Sequence, residues 1–436
     1  MIVISLLSGN RRAMNIKVHR GLEQIGGCIT EISTETSRVF IDMGQNLPGN
    51  GEVTTPEQDR KMVERLFANN QQEHEAVFYT HGHEDHVGLF EYVPLHVPQY
   101  MSAGTKELLL LKYGILKERH ELYLEQIRKD GCTPEALEEA NIKIINADNK
   151  KSRLSEMKTW SRALPGESPK SISIGDIKIT PFFNCHSIYD SHMFLIEAEG
   201  KRVWHTGDYR VHGYLGKGLF PTLQKYATNI DTLITEGTML NRSDDCFHEY
   251  EVAERMASVM KTYKYVFVLA SATDIERLAS IKNASEKVKK RMYVCSKFMI
   301  STMRFFTEHE SELSHGLFCF APRMYGRKYL GRMKKKGFVF VSGTSHLSRV
   351  AEMLKELPAD ETILIYSSWE GYYTIPEQVE VNPGYKNFRE LFSNVVDIHT
   401  SGHADKATIQ KVIEIVKPKE VICIHKEPGV ELEFSK

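Results

Sequence analysis

The sequence has few cysteines, and none of them forms a paired motif. The seven cysteines are scattered through 436 residues, are odd in number and include no Cys-x-x-Cys pair. This usage argues against a disulfide framework and against a thiolate zinc site. It favours a reducing compartment, which we expect to be the cytoplasm.

The chain also lacks long apolar runs, low-complexity tracts and long repeats. No apolar stretch approaches the length that crosses a membrane, so no membrane partner is expected. The N-terminal run Ile2–Leu7 is too short for an export signal, and its arginine pair follows it rather than preceding it. Because the first recognisable strand begins after Met14, this methionine is an alternative start of the chain.

Net charge is nearly absent, but the charges are unevenly distributed. The chain carries a formal charge of −1 at pH 7. Between Lys282 and Gly337, fourteen Lys and Arg stand against four Asp and Glu, a net of +10, which leaves −11 for the rest. A basic block in an acidic protein is either a solvated face or the footprint of a polyanion. Alone, the block does not decide between the two.

The length predicts two or three domains, and a hydrophobic content of 41% is enough to give them cores. Short strands dominate up to about residue 237. Strands and helices then alternate as in a parallel α/β unit, and the last residues return to the first pattern. Within the α/β part, we predict a strand at Leu317–Phe320 and irregular structure at 371–390.

Three imidazoles and two carboxylates gather at the end of one predicted strand. The apolar run Ala76–Tyr79 is followed directly by Thr80-His81-Gly82-His83-Glu84-Asp85-His86. The first two histidines are two residues apart and point to the same side of an extended strand end, whereas the Asp-His pair can aim at a second point. Imidazole and carboxylate are ligands for zinc or another divalent transition metal such as Mn²⁺. A solvated histidine-rich loop is the alternative.

The same arrangement, a strand that ends in one acidic or histidine side chain, recurs along the chain. The groups concerned are Asp42, His186, Asp208, Glu236, His403 and His425. Rigid sheets position chemical groups on loops at their strand ends. Each residue alone would more often be ordinary structure, so only the joint pattern indicates a site.

In this order and context, these groups resemble those of the metallo-β-lactamase-fold hydrolases. Three later features are similar to the β-CASP nuclease branch: Glu236 after a strand, His403 within Ser-Gly-His-Ala, and His425 about twenty residues further on. Over roughly residues 15–428 the chain resembles ribonuclease J. The segments that carry this resemblance are 21–26, 39–44, 80–88, 186–191 and 401–404.

The resemblance implies an α/β protein, a metallo-β-lactamase αββα sandwich with an inserted parallel α/β β-CASP domain. The sandwich would comprise residues 15–237 and 386–436, and the insertion residues 238–385. The implied function is a ribonuclease that hydrolyses RNA, endonucleolytically, 5′-to-3′ exonucleolytically or both, through a hydroxide activated by two zinc ions. The expected partner is single-stranded RNA. Ribonuclease J usually has a further C-terminal domain, whereas eleven residues follow His425 here, so homo-oligomerisation stays open.

The resemblance also assigns roles to the donors, whereas the spacing alone shows only that seven suitable donors exist. One metal would bind His81, His83 and His186, the second would bind Asp85, His86 and His425, and Asp208 would bridge both. Asp42 would orient a ligand imidazole, and Asp85 also counts among the catalytic groups. His403 would contact the scissile phosphate, paired with Glu236.

Two hydroxyl-bearing turns in the α/β part follow strands and precede helices. One contains Ser271, and the other is Ser342-Gly343-Thr344-Ser345. Such turns present N–H groups and hydroxyls to phosphate, which makes Ser271, Ser342, Thr344 and Ser345 candidate phosphate ligands beside His403. Ordinary strand-to-helix turns with cap residues are an equal alternative.

Three other functions compete with RNA hydrolysis. A DNA nuclease of the same superfamily is disfavoured by His425, because DNA-directed β-CASP relatives typically lack this histidine. A small-molecule hydrolase, such as a lactonase or thioesterase, would need neither the inserted unit nor its +10 patch. A catalytically silent RNA-binding scaffold would be expected to have lost ligands. Lys426 stands where the family commonly has glycine, and its effect is open.

Overall fold

The computed structural model describes residues 2–8, 12–48, 54–68, 72–160, 167–242, 246–310 and 314–432. Its contacts divide the chain into two compact units. The first unit comprises residues 1–211, 215–243 and 403–436, and the second comprises 212–214 and 244–402. These contact boundaries fall later than the predicted domain limits at 237 and 385, which stay predictions.

The first unit contains two sheets. The first sheet is antiparallel from β1 to β4 and parallel from β4 to β7, in sequence order. Its strands are β1 (Ile2–Ser8), β2 (Arg12–Arg20), β3 (Ile29–Ser33), β4 (Ser37–Ile41), β5 (His74–Phe78), β6 (Gln99–Ser102) and β7 (Lys158–Trp160). The sequence did not predict β1, which precedes Met14.

The second sheet has the order β19-β12-β11-β10-β9-β8. Its strands are β8 (Ile172–Ile174), β9 (Ile177–Phe183), β10 (His192–Ala198), β11 (Lys201–His205), β12 (Thr232–Glu236) and β19 (Glu420–Ile424). Strands β11, β12 and β19 run parallel, so their carboxyl ends meet at one edge.

Helices cover the outer faces of both sheets. The helices of this unit are α1 (Pro56–Phe67), α2 (Glu84–Val87), α3 (Ala103–Asp130), α4 (Pro134–Glu156), α5 (Leu219–Tyr226) and α14 (Lys406–Val416). Local sequence fixes several starts: Thr55 forms a capping box with Gln58, and Thr133 caps α4 just before Pro134. Among the helices described, none is long and apolar enough to cross a membrane.

Strand alternation creates the layers. Val39 and Ile41 of β4 face inward and pack with residues of the second sheet such as Ile196, whereas Phe40 between them packs on the α1 side with Val63. The outer face of the second sheet packs against α5 and α14. The result is the predicted αββα sandwich.

The second unit is a parallel six-stranded sheet with the order β15-β14-β16-β13-β17-β18. Its strands are β13 (Tyr265–Leu269), β14 (Met292–Val294), β15 (Arg323–Met324), β16 (Phe338–Ser342), β17 (Thr362–Tyr366) and β18 (Val395–Asp397). Its helices are α6 (Glu249–Thr262), α7 (Ile275–Lys287), α8 (Lys297–Glu308), α9 (Leu330–Lys336), α10 (Leu347–Leu354), α11 (Gly371–Thr374), α12 (Pro376–Val381) and α13 (Gly384–Glu390). The predicted parallel α/β class is therefore observed.

Two local predictions in this unit are wrong. Leu317–Phe320 is a turn, because the amides of Phe318 and Phe320 donate to the side chains of Glu310 and Thr307 instead of to a neighbouring strand. Residues 371–390 form the three short helices α11 to α13 rather than irregular chain.

A buried ion pair links several elements of the second unit. Arg277 of α7 donates to Glu249 of α6, with an Nη2–Oε1 distance of 3.0 Å, and both residues are almost fully buried. Its guanidinium also donates to the hydroxyl of Ser367 at 2.8 Å and to the carbonyl of Thr400 at 3.0 Å. The arginine thus joins two helices to the segments that follow β17 and β18.

Replacing this arginine should destabilise the second unit strongly. Arg277→Met leaves the Glu249 carboxylate buried without its cation, which typically costs about 3–5 kcal/mol. Hydrogen exchange of the β13 and β17 amides would measure the loss. The matched control is Lys287→Met, which removes an exposed partner of Glu254 and should cost less than about 1 kcal/mol. Equal losses in both variants would contradict a structural role for the buried pair.

Candidate metal centre

The predicted donors belong to the first unit and follow the carboxyl ends of its strands. Asp42 follows β4, and the His81–His86 segment follows β5 in the first sheet. His186, Asp208 and His425 follow β9, β11 and β19 in the second sheet. Because the two sheets pack face to face, these strand ends meet, and the site straddles both sheets.

Three histidines form one cluster. Nδ1 of His83 lies 3.1 Å from Nε2 of His81 and 3.1 Å from Nε2 of His186. Three ring nitrogens at these separations match the ligand spacing of a single metal ion.

A second cluster lies beside the first. Nε2 of His425 lies 3.1 Å from Oδ2 of Asp85, and Nε2 of His86 lies 3.0 Å from Oδ2 of Asp208. The same Asp208 oxygen is 3.5 Å from Nε2 of His425, 3.9 Å from Nε2 of His81 and 3.8 Å from Nε2 of His186. One carboxylate oxygen of Asp208 therefore faces imidazoles of both clusters.

The protonation of the first cluster suits metal binding. Burial and neighbouring imidazoles lower the pKa of His81 well below its ordinary value, and burial lowers the pKa of His83 to about 4. Both rings are therefore neutral at pH 7, and a neutral imidazole is the form that binds a metal.

The carboxylates of the second cluster favour positive charge on His86. Burial alone would lower the pKa of His86, but the carboxylates of Asp208 and Asp85 raise it well above its ordinary value. Its Nε2 is buried and lies 3.0 Å from Oδ2 of Asp208 without the geometry of a hydrogen bond. The donor set and this buried nitrogen fit a metal ion, which would replace the proton.

Asp42 fixes the orientation of His86. It adopts a left-handed backbone conformation, with φ of 64°, and its Oδ1 accepts the Thr80 amide at 2.7 Å. Its Oδ2 accepts the Thr80 hydroxyl at 2.8 Å and Nδ1–H of His86 at 2.7 Å. This contact leaves Nε2 of His86 as the ring nitrogen for a metal.

His403 pairs with Glu236 at the edge of the centre. Nδ1 of His403 donates to Oε2 of Glu236 at 2.8 Å, and Oε1 of Glu236 accepts the amide of Tyr209 at 2.8 Å. Burial would lower the pKa of His403, but the Glu236 carboxylate and its hydrogen bond raise it. His403 also lies within ligand spacing of Asp208 and His425, so geometry alone leaves both a ligand role and a phosphate role.

Sequence reasoning missed several neighbours of the donors. Cys28 lies within ligand spacing of His86 and His425, and burial raises its thiol pKa well above the ordinary value. The hydroxyl of Thr238 is 2.7 Å from Nδ1 of His425 and orients that ring. The only sequence signal was position, since Cys28 follows two glycines and Thr238 follows Glu236-Gly237.

Lys426 forms an ion pair with a carboxylate of the first unit. Its Nζ lies 3.1 Å from Oε1 of Glu23, and Oε2 of Glu23 accepts the amide of Gly429 at 2.9 Å. The amide of His425 donates to the carbonyl of Gly21. The segment after β19 is thus fastened to residues 21–23, and Lys426 takes part in this attachment.

The predicted phosphate turns belong to the second unit, at the carboxyl ends of the neighbouring strands β13 and β16. The hydroxyl of Ser342 is buried and donates to the carbonyl of Gly343. Ser271 and Ser345 are exposed, and Thr344 is partly exposed. The Ser271 hydroxyl accepts the amide of Thr273 at 3.2 Å, so the hydroxyls of Ser342 and Ser271 are both already engaged. A phosphate role for these residues stays a prediction.

Comparison with known proteins agrees with this geometry. Residues 393–436 match the family described as Zn-dependent metallo-hydrolase RNA specificity domain. An RNase J-like protein of Methanocaldococcus jannaschii is 23% identical over 96% of this chain and 94% of its own length. The predicted resemblance to ribonuclease J is confirmed. Ribonuclease J of Helicobacter pylori is 21% identical over 93% of this chain, and that of Thermus thermophilus is 22% identical over 95%.

The chain spans 55% of the Helicobacter pylori relative and 68% of the Thermus thermophilus one. The crystal structure of a protein of unknown function from Enterococcus faecalis V583 has a TM-score of 0.67 and 19% identity, and covers 95% of this chain and 94% of that one. This likeness confirms the fold class. The family description also supports zinc as the metal.

Removing the Asp42 carboxylate should weaken metal binding without emptying the first cluster. In Asp42→Ala the His86 ring loses its orienting hydrogen bond, and such losses typically lower metal affinity by about 10- to 100-fold. Competition with a chromophoric zinc chelator would measure the effect. The control is Asp176→Ala, because Asp176 accepts a hydrogen bond from Thr34 outside the centre. Equal affinities in the two variants would contradict the orienting role.

Proposed function

We propose that the chain is a zinc-dependent ribonuclease that hydrolyses RNA phosphodiester bonds. The observation that carries the proposal is the Asp208 carboxylate between two histidine clusters, which is the arrangement a two-metal hydrolase needs. The match of residues 393–436, described by its RNA specificity, supports RNA as the substrate. Ribonuclease J relatives along most of the chain support the same reaction.

The donors divide between two ions in this proposal. One ion would be held by His81, His83 and His186. The other would be held by Asp85, His86 and His425, and Asp208 would bind both. Zinc bound there supplies an acidified water as nucleophile and neutralises charge on the phosphate. Manganese is the alternative metal for the same nitrogen and oxygen donors.

The protein's own groups orient these donors and stabilise the substrate. Asp42 and Thr238 each engage Nδ1 of a histidine, which directs Nε2 of His86 and of His425 toward the centre. Glu236 holds Nδ1 of His403 and raises its pKa, so the ring is a suitable N–H donor to a phosphate oxygen. His403 is therefore assigned to the phosphate rather than to a metal.

The test is a digestion of matched RNA and DNA oligonucleotides. Substrates with 5′-triphosphate, 5′-monophosphate and 5′-hydroxyl ends, labelled at either end, would separate exonucleolytic from endonucleolytic cleavage. We expect RNA to be cleaved and DNA to be spared, and we expect a chelator or Asp208→Asn to abolish the reaction. Cleavage that persists in a metal-free preparation, or DNA cut as fast as RNA, would contradict the proposal.

Replacing His403 should separate catalysis from metal binding. His403→Ala should keep its zinc and its RNA affinity but lose on the order of 100-fold in turnover, since a donor aimed at transition-state charge contributes roughly 3 kcal/mol. Glu236→Gln should show a milder form of this defect, because an orienting contact survives without its charge. His86→Ala, the matched histidine variant, should lose metal as well. Loss of zinc from His403→Ala would instead place His403 among the ligands.

A further inference from the structure

One stretch of the second unit concentrates positive charge more strongly than the rest of its basic block. Residues 323–336 contain seven Lys and Arg and no Asp or Glu. They comprise the edge strand β15, a turn and the short helix α9. We call the exposed side chains of this stretch the β15–α9 surface.

Most of these cations have no carboxylate partner. Arg327 lies 3.7 Å from Glu352, and Lys334 lies 3.8 Å from Glu356. Within the described ranges, the other five form no ion pair, and their side chains are exposed; they are Arg323, Lys328, Arg332, Lys335 and Lys336. Like charges held together without acids repel one another, so a polyanion bound here would relieve that repulsion.

Large apolar side chains stand exposed among these cations. Tyr329 is 46% exposed and Met324 is 40% exposed. The Lys328 ammonium lies 5.2 Å from the centre of the Tyr329 ring. Behind them, the Tyr325 ring contacts Phe340 of β16 edge to face, which anchors the surface on the sheet. The surface therefore presents a ring and a thioether side chain beside its cations.

A groove of about 300 Å³ adjoins the surface. The β15–α9 stretch lines one wall with Tyr325, Arg327 and Leu330. The other wall is formed by Glu352 and Met353 of α10 and by Glu356, which follows that helix. Arg349, which is exposed, stands at the same groove. This volume is at the lower end for small-ligand sites.

We propose that the β15–α9 surface binds single-stranded RNA, with phosphates on the five unpaired cations and a base stacked on Tyr329. Cations with an exposed aromatic ring are the combination that binds unpaired strands, because a duplex hides its base faces. An acidic protein is the alternative occupant, and the competition with polyglutamate described below tests it. The choice of RNA over DNA rests on the proposed function. The inference that this surface binds a single strand rests on its charges and on the exposed Tyr329 ring.

The first test removes charge at the surface and, separately, elsewhere on the same unit. The surface variant carries Arg323→Ser, Lys328→Ser and Arg332→Ser. The control carries Lys261→Ser, Lys287→Ser and Lys386→Ser, which are exposed residues of the same unit and remove the same charge. Binding of a labelled 2′-O-methyl RNA 20-mer, which resists cleavage, would be followed by fluorescence anisotropy at several salt concentrations.

We expect the surface variant to lose affinity. The slope of log affinity against log salt concentration should also become shallower by about 2, because each of the three lost phosphate contacts contributes about 0.7. The control should bind like the unmodified protein. Equal weakening of both variants would mean that binding follows net charge, and it would overturn the proposal. Equally tight binding of the matching duplex, or equal competition by polyglutamate of the same charge, would also overturn it.

The second test removes the ring. Tyr329→Ala should weaken RNA binding at least about fivefold at unchanged salt slope, and Tyr329→Phe should bind normally, because stacking needs the ring and not the hydroxyl. Tyr250→Ala, which removes a tyrosine 57% exposed on α6, is the matched control. Unchanged binding in Tyr329→Ala would overturn the stacking role.

The experiments distinguish a failure of the ribonuclease proposal from a failure of the β15–α9 surface proposal. If RNA is cleaved but the surface variant binds as tightly as its control, the surface is wrong and the ribonuclease stands. If binding depends on the surface but no RNA is cleaved with metal present, the ribonuclease is wrong and the surface stands.

Discussion

The first unit depends on one buried carboxylate. Oδ2 of Asp208 faces imidazoles that follow β5 in one sheet and others that follow strands of the second sheet. Burying a carboxylate is costly unless cations or hydrogen bonds compensate it, and the imidazole of His86 lies nearest, with its Nε2 3.0 Å from Oδ2 of Asp208. A divalent ion on each side would compensate it more completely. Metal binding and the packing of the two sheets should therefore stabilise each other.

The centre also holds two residues in a left-handed conformation. Asp42 has φ of 64° and His425 has φ of 54°, which costs a non-glycine residue roughly 1–2 kcal/mol. Hydrogen bonds hold both in place: the Asp42 amide donates to the carbonyl of Phe78, and that of His425 donates to Gly21. In addition, a Cβ on Gly44 would collide with the backbone of Asp85. The surroundings of the donors are thus restricted by the backbone as well as by the side chains.

The positions of the candidate donors could be predicted from sequence because they follow recognisable strands, four of them together after β5 and the others singly, as His186 follows β9. The pairing of Asp42 with His86 or of Thr238 with His425 is less accessible, since these residues are 44 and 187 positions apart. Strand prediction failed at Leu317–Phe320 because an apolar run does not reveal that side chains will accept its amides. The helices of 371–390 were missed because short helices show too few turns for periodicity.

The charge distribution follows the division into units. The first unit holds the metal donors, and the second holds the basic block of net +10. Contacts to a phosphate backbone act alike on bound substrate and on the transition state, so they change affinity more than turnover. In the proposed mechanism His403, by contrast, would act when charge develops on the reacting phosphate. In the described part of the chain, the exposed lysines and arginines lie outside the buried network around Asp208. Under the proposed function, changes at these residues would therefore alter which RNAs are bound without disturbing the candidate donors.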